Sequence, residues 1–164
     1  MQSYSDIQIY SVAILLFFTM LFFLQFFRLM LRSKNKRYLR KYRSVKKLKK
    51  LTWSEFEHLC LLFYQEQGWK VQGNEQHGAD GGVDLWMKKR GTRAIVQCKK
   101  YEDAKVTVKV IREMYGLMHE YGVDMAIVVT TSGFTKECDR FVEEKQITLV
   151  DGEALVEMIG KITR

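Results

Sequence analysis

From Ile9 to Phe27 the chain carries no charged residue, and only Ser11, Thr19 and Gln25 are clearly polar. As a helix rising about 1.5 Å per residue, this stretch covers roughly 28 Å, close to the hydrocarbon thickness of a bilayer. A helix of a soluble core would keep a polar face, and this one is apolar all round. A cleaved leader fits poorly, because no basic region precedes the run, the run is too long, and no small-residue cleavage site follows it. The run therefore reads as one transmembrane helix over residues 9–31, after a short extracytoplasmic N-terminus of residues 1–8.

The net charge of +8 hides an uneven distribution. Residues 1–27 hold one acid, Asp6, and no Lys or Arg; residues 28–50 hold twelve basic residues and no acid. Residues 51–164 hold fifteen basic against eighteen acidic residues, so the part that folds is mildly acidic. A basic cluster directly after a span stays on the cytoplasmic side. The expected topology is single-pass in the cell inner membrane, with the N-terminus outside, Tyr4 and Tyr10 at the outer interface, and everything after the span cytoplasmic. The basic juxtamembrane segment, residues 32–50, then leans on anionic lipid headgroups at about 1 kcal/mol per residue near the surface. Attraction to DNA phosphates needs no particular sequence and is its alternative use. Cys60, Cys98 and Cys138 lie far apart, which speaks against a zinc site or a disulfide framework and for reduced thiols.

The remainder, residues 51–164, reads as one domain. Thr52-Trp-Ser-Glu55 is a capping box opening a helix to about Gln67, where Gly68 stops it. A strand at 69–72 and a loop with four glycines between 73 and 82 follow. Strands at 83–88 and 94–99 are joined by a tight turn at Arg90-Gly91. An amphipathic helix at 108–121, a buried-type strand at 125–130, a helix at 135–145, a strand at 147–150 and a last helix after Asp151 complete the order. The fold class is α/β, in the order α-β-β-β-α-β-α-β-α, with helices covering a central mixed sheet.

Two places suggest chemistry. On the first helix, 100° steps put Trp53, Phe56, Cys60, Leu61, Phe63 and Tyr64 on one arc, and Glu57 falls inside it, whereas Glu55 and Glu66 point away. A carboxylate on a buried side is costly unless it is paired or bound to a cation. A helix-edge glutamate reaching solvent or a lysine explains Glu57 equally well, and the two readings stand level. In the hairpin, if Arg90 and Gly91 form the turn, paired positions sum to 181, so Asp84 faces Gln97 and Lys99 lies diagonal on the same face. Trp86 and Ile95 share that face, while Val83, Leu85, Val96 and Cys98 take the other. A merely solvated polar face would not carry Trp86 and Ile95, so a site is favoured.

Other residues weigh less. Asp80 reads as a turn residue, His77 as a solvated loop residue, and His58 and His119 carry no role. No Gly-Lys-Ser/Thr follows the glycines, so the loop is not a nucleotide-phosphate loop. Lys100, Lys109, Arg90 and Arg93 are candidate DNA-backbone contacts, although ordinary solvated positions explain them about as well.

Gly81-Gly-Val-Asp-Leu85 followed by Gln97-Cys-Lys-Lys-Tyr101 resembles the Mrr-type branch of the restriction-endonuclease-like nucleases, the PD-(D/E)xK superfamily. Phe56-Glu57, Lys109-Val-Ile-Arg-Glu-Met-Tyr-Gly116 and Val129-Thr-Thr-Ser-Gly-Phe-Thr135 extend the likeness across roughly residues 51–160. The resemblance implies a three-layer restriction-endonuclease-like domain with Glu57, Asp84, Gln97 and Lys99 as catalytic residues. It implies Mg²⁺, with Mn²⁺ as a substitute, held by Asp84, Glu57 and the Cys98 backbone carbonyl. Lys99 would orient or deprotonate the attacking water and stabilise charge on the phosphate. Gln97 stands where most of the superfamily has an acid, as is common in Mrr-type members; it removes one negative charge and puts more weight on Glu57.

The expected activity is metal-dependent hydrolysis of DNA phosphodiester bonds by a membrane-anchored restriction or defence nuclease. The alternatives are a non-catalytic membrane-tethered DNA-binding module and a junction- or damage-processing nuclease. The expected partners are double-stranded DNA, a bilayer with anionic headgroups and, as an option, a second copy of the chain in a homodimer.

Overall fold

The computed structural model describes residues 2–73 and 82–164. The chain divides into two compact units, one up to Asn35 and one from Lys36 to Arg164. The first is the main part of helix α1 (Gln2–Leu39), in which every described side chain from Tyr10 to Lys34 is exposed. By length and composition α1 can cross a membrane, with a mean hydropathy of 2.2 over its most apolar stretch. Signal sequences meet the same criterion.

The second unit begins with the last turn of α1, a 3₁₀ turn at Arg40–Tyr42 and the short α2 (Val45–Leu48). Then come α3 (Trp53–Glu66), β1 (Lys70–Gly73), β2 (Leu85–Lys89), β3 (Thr92–Lys99), α4 (Val108–Glu120), β4 (Met125–Thr130), α5 (Lys136–Val142), β5 (Ile147–Val150) and α6 (Gly152–Ile162). From α3 onward this is the order expected from the sequence.

The five strands form one mixed sheet in the order β1-β2-β3-β4-β5. β1, β2 and β3 are an antiparallel meander, and β4 and β5 add in parallel through α4 and α5. The β2–β3 register pairs Leu85 with Val96 and Lys89 with Thr92, so paired positions sum to 181. Arg90 (φ 49°) and Gly91 (φ 92°) make the turn, both in the left-handed region that a two-residue hairpin requires.

Each sheet face carries its own core, which gives three layers. On one side Phe56, Leu59, Cys60 and Phe63 of α3 and Leu155 and Ile159 of α6 pack on Leu85, Val96, Cys98, Ile127 and Val129. On the other, Ile111, Met114 and Met118 of α4 and Cys138 of α5 pack on Val83, Ile95, Ala126 and Val128. Burying each large apolar side chain contributes about 1.5–3 kcal/mol, so these two layers hold the sheet rigid.

Several local expectations are corrected. The arc on α3 is rotated: Leu59 is buried, Trp53 is 45% exposed, and Glu66, expected to point away, is only 8% exposed. α5 stops at Val142, because Glu143 leaves helical geometry and Glu144 adopts φ 62°. The compact unit begins at Lys36. Leu39 and Leu48, embedded in the basic run, are fully buried in the α3–α6 core. The Arg40 Nε donates to the Thr163 carbonyl at 2.8 Å, and Arg43 donates to the Thr163 hydroxyl at 2.7 Å. Part of the basic run is therefore structural.

Candidate active site

The site begins with helix α3. Thr52 caps it reciprocally: Glu55 N donates to Thr52 Oγ1 at 3.2 Å and Thr52 N donates to Glu55 Oε2 at 2.8 Å. Phe56, Cys60 and Phe63 lock the helix onto the sheet, and Glu57, one step around from Phe56, is carried to the C-terminal end of β3. The Glu57 carboxyl is half-buried and hydrogen-bonds the Asp84 carboxyl. Its pKa is pushed up to about 8, first by burial, then by the Asp84 charge and by that hydrogen bond. Glu57 Oε1 is buried with no hydrogen-bond partner among the described residues.

Asp84 precedes β2, where the strand alternation breaks. Val83 packs into the α4-side core and Leu85 into the α3-side core, although regular alternation would put both on one face. Asp84 N donates to the Val96 carbonyl at 2.9 Å, one position short of its expected partner Gln97. This irregularity turns Asp84 so that its Oδ2 accepts from Cys98 N at 2.6 Å while the carboxyl meets Glu57. The expected face sharing of Asp84 with Trp86 and Ile95, and of Val83 with Leu85, is thus corrected. A sequence pattern assumes unbroken alternation, and a one-residue slip of this kind exchanges faces.

The Cys98 carbonyl shares its strand edge with the Cys98 N–H, because N–H and C=O of one extended residue point to the same side. That edge is the one that faces β2. The Lys99 carbonyl points the other way, accepting from Thr130 Oγ1 at 2.7 Å and Thr131 N at 3.3 Å. The Cys98 thiol hydrogen-bonds Cys60, and this contact, burial and the nearby Asp84 and Glu57 charges push its pKa well up. Cys98 is therefore a neutral apolar filler whose backbone faces the carboxylates.

Gln97 is 6% exposed and packs against Gly82. A Cβ on Gly82 would lie 2.7 Å from Gln97 Nε2, and Gly82 has φ 115°, so both space and conformation demand glycine there. Lys99 closes β3, half-buried, paired in the ladder with Thr130. The contacts therefore bring Glu57, Asp84 and the Cys98 backbone together, with Gln97 beside Gly82 and Lys99 at the strand end. Asp80, His77, Gly78 and Gly81 lie outside the described residues.

Of the candidate backbone contacts, Arg90 is exposed at the hairpin tip and Lys109 on the first turn of α4. Lys100 pairs with Glu102 at 3.1 Å. Arg93 is committed to the fold, its guanidinium donating to the Gly122 carbonyl and its N–H to Asp124 Oδ2 at 2.6 Å. Sequence reasoning assigned no role to Thr130, Thr131 and Ser132, which fix the segment after β3. Thr131 Oγ1 accepts from Tyr101 N at 3.0 Å and donates to the Tyr101 carbonyl at 2.5 Å, and Ser132 Oγ donates to the Ala104 carbonyl at 2.7 Å. The available signal was a run of hydroxyls directly after an apolar strand.

The residues fit a divalent cation. No cluster of three His, Cys, Asp or Glu side chains occurs among the described residues, so any ion would rest on two carboxylates supplemented by a carbonyl and water. Two carboxylates competing for one proton, one with an orphaned buried oxygen, form a repulsive arrangement that a hard cation relieves.

A family model described as restriction endonuclease, of the Mrr catalytic type, matches residues 48–159. The chain belongs to the Mrr-type restriction endonuclease family. The likeness extends to solved structures. The protein AF1548, of unknown function, is 18% identical with a TM-score of 0.53, over 63% of this chain and 65% of its own. The DNA modification-dependent restriction endonuclease AspBHI is 12% identical with a TM-score of 0.57, over 78% of this chain and 35% of its own. A repair endonuclease from Pyrococcus abyssi is 20% identical with a TM-score of 0.46, over 62% of this chain and 48% of its own. The Mrr-type chain thus spans less than two thirds of the length of each. At these identities the likeness to AF1548 and AspBHI concerns the fold, a mixed sheet between helices. No curated protein matches the sequence.

Proposed function

We propose that this Mrr-type chain is a metal-dependent endonuclease that hydrolyses DNA phosphodiester bonds while held at a membrane by α1, in a restriction or defence role. The observation that carries the reading is the Glu57–Asp84 pair with its orphaned oxygen, in a chain of a restriction endonuclease family. Asp84, Glu57 and the Cys98 carbonyl would hold Mg²⁺ or Mn²⁺. When bound, the ion draws charge from the scissile phosphate and makes water more acidic.

The chain's own groups do the rest. Cys98 N–H holds Asp84 in one orientation. Glu57 must surrender its proton before it can act as a ligand. Lys99 orients the attacking water or accepts its proton, and balances charge on the phosphate. Gln97 fixes the close approach of the Gly82 backbone without adding a charge. Cutting both strands calls for two such sites, which a homodimer supplies.

The anchor reading rests on the apolar α1, and the basic residues that follow it support a cytoplasmic side for the nuclease unit.

The test is conversion of supercoiled plasmid by the full chain in detergent, with Mg²⁺, Mn²⁺ or EDTA. Cleavage only with metal is expected. Asp84→Ala should lose cleavage and metal binding, and Lys99→Ala should lose cleavage alone. Glu57→Gln should fall between them, with partial rescue at high metal concentration. Parent-like cleavage by both Asp84→Ala and Lys99→Ala would remove the site from the chemistry. A parent that cuts no DNA with either metal would make the tethering module the better reading.

A further inference from the structure

A groove of about 850 Å³ lies between α2 and the segment after β3, lined by Lys46, Lys49, Lys50, Lys100, Glu102 and Asp103. We propose that it is the track along which the DNA backbone reaches the active site, its four lysines holding phosphates of the strand to be cut. Glu102 and Asp103 occupy the phosphate positions until DNA arrives. This rests on the nuclease reading above and names where the substrate lies.

Position supports it first. Lys100 in the groove wall is the chain neighbour of Lys99, the residue assigned to the scissile phosphate. Rigidity supports it next. Leu48 and Leu51 are buried and fix the α2 lysines to the core. The opposite wall is pinned by the Thr131–Tyr101 and Ser132–Ala104 hydrogen bonds. A preset wall loses little freedom on binding.

The charges complete the case. Lys49 pairs with Asp103 and Lys100 with Glu102, each at 3.1 Å, and the two acid side chains are 95% and 75% exposed. Such exposed pairs are weak, so a phosphate exchanges for the carboxylate easily. Lys46 and Lys50 have no acid partner among the described residues. DNA presents one phosphate per roughly 3.4 Å of rise on each strand, dense enough to meet several lysines at once.

The test is fluorescence anisotropy of a labelled duplex of about 30 base pairs, long enough to span the groove, with the full chain in detergent and EDTA present. Lys46→Ala/Lys50→Ala should weaken binding about tenfold or more and flatten the log–log salt slope by about 1.8, at 0.9 per phosphate contact. In plasmid cleavage its KM should rise with kcat near the parent's, since the lost contact is uniform binding. Glu102→Gln/Asp103→Asn should bind about fivefold tighter, from freeing two lysines of weak partners, an effect that misfolding cannot mimic. If the parent binds DNA and both variants match it in affinity and slope, the groove is not the track, while the nuclease reading stands. If the Lys46→Ala/Lys50→Ala chain keeps DNA affinity but carries less phosphatidylserine through detergent exchange, the groove is a lipid site and the proposal falls. If the parent neither binds nor cuts DNA, both readings fall together.

Discussion

The carboxyl of Glu57 ties the acid–base chemistry of the molecule to the proposed metal chemistry. With its pKa pushed up to about 8, the metal-free site holds a proton below that pH, and an incoming cation must displace it. Apparent metal affinity should therefore rise with pH, by up to about tenfold per unit, and level off above about 8; calorimetric titration with Mn²⁺ between pH 6 and 9 measures this. The same shift acts on stability with a fixed sign. Between the ordinary value of 4.5 and about 8, the folded chain keeps a proton that the unfolded chain has released. Metal-free stability should accordingly fall as pH rises through that window and flatten above it, and Glu57→Gln should remove this part of the slope in melts with EDTA. Gly82 gives a second prediction. Gly82→Ala strains a backbone at φ 115° and drives a methyl into Gln97, so it should reduce cleavage severalfold while Gln97→Glu remains active in the same plasmid assay. The sequence made Glu57 suspect, since it fell on the buried arc of a helix, but could not choose between a paired and a solvated carboxylate. That choice depends on Asp84, which is distant in the chain.

At the scale of elements, legibility followed local periodicity. The β2–β3 register was readable from Arg90-Gly91 alone, because a two-residue turn leaves one pairing. The side on which Asp84 emerges was not readable, because the break before Leu85 belongs to the packing of Val83 and Leu85 into different cores. The capping box of α3 was legible for the opposite reason, since its hydrogen bonds are made within four residues. Thr52→Ala should destabilise the unit by about 1 kcal/mol in urea unfolding, and through α3 it should also loosen the placement of Glu57. A loss of stability without any change in cleavage would mean that the first turn does not transmit to the site.

Across the whole molecule, the charge of the twelve basic residues between Arg28 and Lys50 concealed two core leucines. Leu39 and Leu48 are isolated apolar letters among lysines and arginines, too few to form a periodic signal, and only the α3–α6 core shows their use. A chain starting at Lys36 should therefore unfold in urea cooperatively and later than one starting at residue 51. The shorter chain lacks both leucines, each of which contributes about 2–5 kcal/mol when buried in a packed core. Equal midpoints would show that residues 36–50 are dispensable. For topology, a phosphatase fused after Arg164 should be inactive if the unit lies in the cytoplasm, and an active fusion would reverse the assignment.

The bond from Arg40 to Thr163 joins residues 123 positions apart, and Leu39 and Leu48 share their core with Leu155 and Ile159 of α6. During synthesis the segment after α1 thus emerges long before the helix it must pack against. At about 5–20 residues per second, several seconds separate them. The apolar helix has that interval in which to find a bilayer while the rest of the chain is still unable to close. A nascent chain cut short before α6 would carry Glu57, Asp84 and Lys99 without Leu155 and Ile159, which complete the core that α3 packs into. Order of manufacture thereby leaves the proposed catalytic constellation on an incomplete core until the polypeptide has had time to reach its proposed place in the cell.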